Sequence, residues 1–74
     1  MLTLNKISSG TEAVVSHVMG HGPITQRLLE MGMIPGAAVK VVQFAPLGGP
    51  MMVTLDGYSL SLRTSEAELV ALSL

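Results

Sequence analysis

Within ten residues, Arg27 to Gly36, the sequence Arg-Leu-Leu-Glu-Met-Gly-Met-Ile-Pro-Gly stops a helix, turns, and starts a β-strand. Gly22 and Pro23 open that helix. Proline at the first helical position gives up only an N–H that would be unpaired anyway, and its fixed φ already suits a helix. Gly32 closes it, because a residue just past a helix end often takes a left-handed backbone that costs glycine nothing. Pro35-Gly36 then reads as a turn with proline first and glycine second of its central pair. Between the two glycines, Ile24, Leu28 and Met31 recur at helical spacing and are expected to form one buried stripe, with Gln26 and Glu30 off it.

The remainder of the chain is β-prone. After a lead-in at Leu2 to Ile7 and a turn at Ser9-Gly10, the segment Thr11 to Met19 is rich in Val and Thr. Ala13, Val15 and His17 share one face and Val14, Ser16 and Val18 the other, an ambiguous phase that a bulge would explain. A second strand is expected at about Ala38 to Phe44. Asp56-Gly57 is a favoured two-residue hairpin turn, because both central positions need positive φ. It pairs Leu55 with Tyr58, Val53 with Leu60 and Met51 with Leu62 on one apolar face, leaving Thr54, Ser59, Ser61 and Arg63 toward solvent and Met52 on the outer side. Thr64 to Ala67 reads as one helical turn capped by Thr64 or Ser65, and Leu69 to Leu74 as a last strand. Residues 1–74 therefore form a single domain, mainly β, an SH3-like barrel of about five strands with one short helix after the first strand, an OB-fold being the nearest competitor.

A domain of 74 residues buries only about 60% of its unfolded surface. Without cysteine it has neither a disulfide nor a thiolate metal site to staple it, and a reducing compartment fits. Apolar residues make up 49% of the chain, with one Phe and one Tyr, so the core must be aliphatic. The longest uncharged stretch, Val41 to Leu55, is interrupted by Pro-Leu-Gly-Gly-Pro and is too short to span a membrane. No basic region and apolar run open the chain as a secretory signal would. Four basic and five acidic side chains carry no footprint for nucleic acid or anionic lipid. The sequence offers no paired buried carboxylates, no phosphate loop ending in lysine and no nucleophile beside its histidines, so neither an enzyme nor a cofactor is expected. The expectation is a soluble cytoplasmic domain without direct membrane insertion.

Arg27-Leu28, Met31-Gly32, Pro35-Gly36, the Ala45-Pro46-Leu47-Gly48-Gly49-Pro50 segment and Leu60 to Arg63 followed by Glu66-Ala67 together resemble the FeoA family of small SH3-like proteins associated with bacterial ferrous iron uptake. The match runs from Gly10 to Leu72. The resemblance implies a non-enzymatic accessory that binds FeoB, a ferrous iron permease with a GTP-binding domain, and so sits peripherally at the inner membrane through that partner. The same fold resembles the carboxy-terminal domain of iron-dependent repressors, which implies as the alternative a sensor or regulatory domain binding a transition metal directly. A chain that starts at Met1 without a winged-helix segment favours the transporter accessory.

Candidate contact residues follow from exposure. Lys40 sets a solvent-facing phase that includes Val42 and Phe44 unless a bulge shifts it, and with Met52 these would form an exposed apolar patch, to which Leu47 in the apolar loop adds. The patch could meet the permease or a second copy of the chain. Arg27 has three readings: a surface pair with Glu30, a pair with a partner's carboxylate, or bonds to loop carbonyls. No metal site is assigned. His17 and His21 are the only histidines and make at best half of one, with Glu12 projecting to the opposite face from His17.

Overall fold

A computed structural model describes residues 1–73. Five strands, β1 (Glu12–Val18), β2 (Ala38–Phe44), β3 (Met51–Leu55), β4 (Tyr58–Leu62) and β5 (Val70–Ser73), form one antiparallel sheet in the order β4-β3-β2-β1-β5. Helix α1 (Pro23–Glu30) joins β1 to β2, and the single turn α2 (Thr64–Ala67) joins β4 to β5. The sheet bends around one aliphatic core, to which Val15, Val39, Val41, Val53, Leu62 and Val70 contribute from all five strands. Leu4, Leu28 and Met33 close that core from outside the sheet, each with no exposed surface. The ladder ends at β4 and β5 rather than closing between them. The amino-terminal segment covers the β5 edge, with Thr3 bridged to Ala71 and the Leu72 N–H donated to the Leu2 carbonyl at 2.9 Å.

The junction after α1 has a defined hydrogen-bond pattern. The Met33 N–H reaches the Leu28 carbonyl at 3.1 Å and the Gly32 N–H the Leu29 carbonyl at 3.0 Å, with Gly32 at φ 104°. This is a Schellman end, in which the residues at the two ends of the longer bond pack together; here they are Leu28 and Met33, both fully buried. Two residues on, the Ala37 N–H closes the Pro35-Gly36 turn on the Ile34 carbonyl at 3.0 Å, with Gly36 at φ 94°. The Asp56-Gly57 hairpin has both central residues at positive φ and the expected register. Asp56 Oδ1 also accepts the Ala38 N–H at 3.1 Å, tying this hairpin to the start of β2.

Four local expectations are corrected. Ile24 is exposed, and Thr25 takes the inward position instead, because its hydroxyl donates to the Met19 carbonyl at 2.7 Å and locks the helix start to the end of β1. Tyr58 lies on the correct side of the hairpin but is exposed, since β4 is an edge strand with no neighbour to cover its first residue. Neither Thr64 nor Ser65 caps α2. Arg63 is the N-cap, and its backbone N–H is satisfied by Glu66. Finally, β5 begins at Val70 rather than Leu69, and the Leu74 end of the expected strand lies outside the described residues. The ambiguous phase of β1 is indeed a bulge: its pairing with β5 shifts register between Val15 and His17.

A Cβ on Gly32 would require a left-handed alanine and would sit 3.3 Å from Leu55 Cδ2, whereas one on Gly36 meets nothing within 4 Å. Gly32→Ala is expected to lower unfolding free energy by about 1–2 kcal/mol and Gly36→Ala by about 1 kcal/mol. Urea denaturation of the two variants checks this; a Gly32→Ala midpoint equal to the parent's would remove the role given to this corner.

Candidate functional site

Glu66 is the one buried charged side chain among the described residues. It sits at the third position of α2, where a glutamate can reach back to the N-cap, and its Oε1 accepts the Arg63 backbone N–H at 2.9 Å. Its Oε2 pairs with Arg27 Nη2 from α1. The partners differ in exposure, 58% for the Arg27 side chain and 5% for Glu66, so a surface arginine neutralises an interior carboxylate. Glu30, offered as a partner for Arg27, instead accepts a hydrogen bond from Gln26 Nε2 at 3.3 Å. The i, i+3 reading failed because Glu66 is the acid brought to Arg27 by the fold, and a desolvated carboxylate gains more from a cation than a solvated one does.

Around this pair lies a shallow concavity of about 420 Å³, lined by Arg27, Met31, Pro50, Ser61, Arg63 and Glu66. Arg63 contributes an exposed guanidinium for which no ion-pair partner occurs among the described residues. Pro50 also ends the Ala45-to-Pro50 loop, so concavity and loop adjoin. That loop is closed by the Ala45 N–H on the Pro50 carbonyl at 3.0 Å and the Gly49 N–H on the Pro46 carbonyl at 3.3 Å. At its tip Leu47 is 104% exposed and held at φ 59°, ψ 36°.

The β2–β3 pairing shifts register between Val41 and Gln43. Val42 is the extra residue, Gln43 stands opposite Met52, and Phe44 opposite Met51. The bulge breaks the simple alternation that would have put Phe44 in phase with Lys40 and Val42: Phe44 is paired with a core-facing residue, yet at the strand end it stays exposed. Val42 is exposed and Met52 half-buried. His17 lies on β1, exposed, with Nδ1 3.1 Å from Ser16 Oγ, and His21 is exposed in the turn before α1. Among the described residues no three His, Cys, Asp or Glu side chains gather as metal ligands. Among the described residues no helix is long and apolar enough to cross a membrane.

Residues 2–74 match the family model of the FeoA domain. This chain belongs to the FeoA domain family. A fusion of Fe(2+) transport protein A with the Fe(2+) transporter FeoB from Porphyromonas gingivalis is 36% identical over 73 residues, 99% of this chain and 9% of the fusion protein. This FeoA domain thus spans about a tenth of that relative. The solution structure of FeoA from Chlorobium tepidum superposes with a TM-score of 0.89 at 34% identity, covering 99% of this chain and 70% of that one. The crystal structure of Stenotrophomonas maltophilia FeoA complexed with zinc, described as a procaryotic SH3 domain protein, gives a TM-score of 0.87 at 32% identity over 99% of this chain and 91% of its own. The fold is accordingly SH3-like, and the family is that of ferrous iron transport accessory proteins.

Removing Arg27 strands a buried carboxylate, whereas converting Glu66 to its amide keeps an acceptor for the Arg63 N–H and leaves the arginine in water. Arg27→Met is therefore expected to cost about 1–2 kcal/mol, discounted for the exposure of the arginine, and Glu66→Gln less than about 1 kcal/mol. Urea titrations of both variants test the order; the reverse order would contradict the account of which partner is desolvated.

Proposed function

We propose that this FeoA domain is a non-enzymatic accessory of ferrous iron uptake that works by docking on a FeoB-type permease, at the cytoplasmic face of the inner membrane. The observation carrying this reading is the P. gingivalis protein, in which a FeoA sequence matching 99% of this chain is covalently joined to FeoB. Fusion holds two proteins at high effective concentration, which is useful when they act in contact.

The contact surface we assign is the Ala45-to-Pro50 loop with Val42, Phe44 and Met52. Leu47 supports the assignment on physical grounds. A left-handed leucine costs about 1 kcal/mol or more, and a fully exposed one recovers none of it by packing within its own domain. A partner pocket would recover it. The loop is also preformed by its two internal hydrogen bonds, so little ordering entropy is lost on binding.

Detergent-solubilised FeoB from the same organism, immobilised and titrated with this protein, tests the proposal. Binding is expected, and a Leu47→Asp, Phe44→Ser variant should weaken it by about tenfold or more, as loss of central apolar anchors does. Unchanged affinity with a folded variant would move the contact elsewhere; no binding by the parent chain would overturn the docking mechanism itself.

A further inference from the structure

We infer that the concavity between α1, Pro50 and the β4–α2 junction is a binding site for a single carboxylate carried on an apolar peptide segment. Its charges decide the ligand class. Arg27 and Arg63 bring two guanidinium groups to one depression, and Glu66 neutralises one of them. Those arginines are two of the four cationic side chains in a chain of net charge −1, so their convergence makes a local excess of one positive charge on a slightly acidic protein. A monoanion matches that excess. A phosphate dianion would face an uncompensated second charge beside the Glu66 carboxylate.

The donors are held ready. Glu66 grips Arg27 through Nη2, and a guanidinium carries five N–H donors, so most of the fork is available while its position is held by a buried anchor. Arg63 is fixed at its backbone by the bond to Glu66 Oε1, while its side chain is exposed at the same rim. One carboxylate thus organises both arginines without consuming the second charge. Ser61 adds a hydroxyl, and Met31 and Pro50 provide the apolar walls that distinguish a peptide side chain from a free ion. The volume, about 420 Å³, lies in the range of small ligand sites and suits a side chain or two. This site takes only Pro50 from the Leu47 loop and is read on the isolated protein, so its failure and that of FeoB docking are separate results.

The test is a backbone-amide NMR titration with N-acetyl-Leu-Glu-Leu-amide, its Gln counterpart and inorganic phosphate. The Glu peptide should shift Arg27, Met31, Ser61 and Arg63 saturably, with affinity in the millimolar range expected of a few exposed charge-assisted contacts. Arg63→Gln, which keeps the backbone cap and hence the fold, should weaken the Glu peptide about fivefold and leave the Gln peptide unaffected. Equal shifts from the two peptides, stronger shifts from phosphate at the same amides, or none up to about 10 mM peptide would each overturn the assignment.

Discussion

The corner at Gly32 sets where everything else can be. A left-handed residue there lets the chain leave α1 so that Met33 turns back onto Leu28, and those two fully buried side chains seat the helix on the open side of the bent sheet. The helix start is held separately, by the Thr25 hydroxyl on the Met19 carbonyl. With both ends pinned, α1 has one rotation about its axis, and that rotation aims Arg27 at α2.

What Arg27 meets is an interior acid rather than another surface residue. Glu66 occupies a position in a four-residue helical turn from which its carboxylate serves the N-cap N–H, and burial there would be unfavourable without a cation. The ion pair therefore belongs to the architecture of the domain, and among the described residues no buried side-chain polar atom lacks a partner. The cost of this arrangement is met by exposing the arginine, which gives the surface an anchored guanidinium beside that of Arg63, which has no ion-pair partner among the described residues.

The proposed working surfaces share Pro50. On one side lies the stiff apolar loop with Leu47 at its tip; on the other, the guanidinium-lined concavity. A partner that filled both would meet an apolar anchor and a charge contact of defined geometry a short way apart, a combination in which burial supplies affinity and the charge supplies register.

Much of this fold was legible in local chemistry. Gly32, Gly36 and Gly57 each hold a positive φ that few other residues supply, and Pro23 suits the first helical position, so the ends of α1 and the register of β3 with β4 follow from adjacent residues alone. The family was legible too, from Arg27-Leu28, Met31-Gly32, Pro35-Gly36, the Ala45-to-Pro50 segment and Leu60 to Arg63 with Glu66-Ala67, in that order. The site was not. Arg27 and Glu66 are 39 positions apart, and Glu30 is the nearer acid, so no spacing rule could choose between them. A stronger signal was available in Glu66 standing three residues after Arg63, the spacing of an N-cap and its reciprocal glutamate. The exchange of Ile24 for Thr25 on the inner face and the extra residue at Val42 were likewise decided by long-range packing and strand pairing. Turns and caps are set by the φ a residue can adopt, which is a property of that residue. Burial and ion pairing depend on which distant segments the bent sheet brings together, and only the tertiary structure settles that.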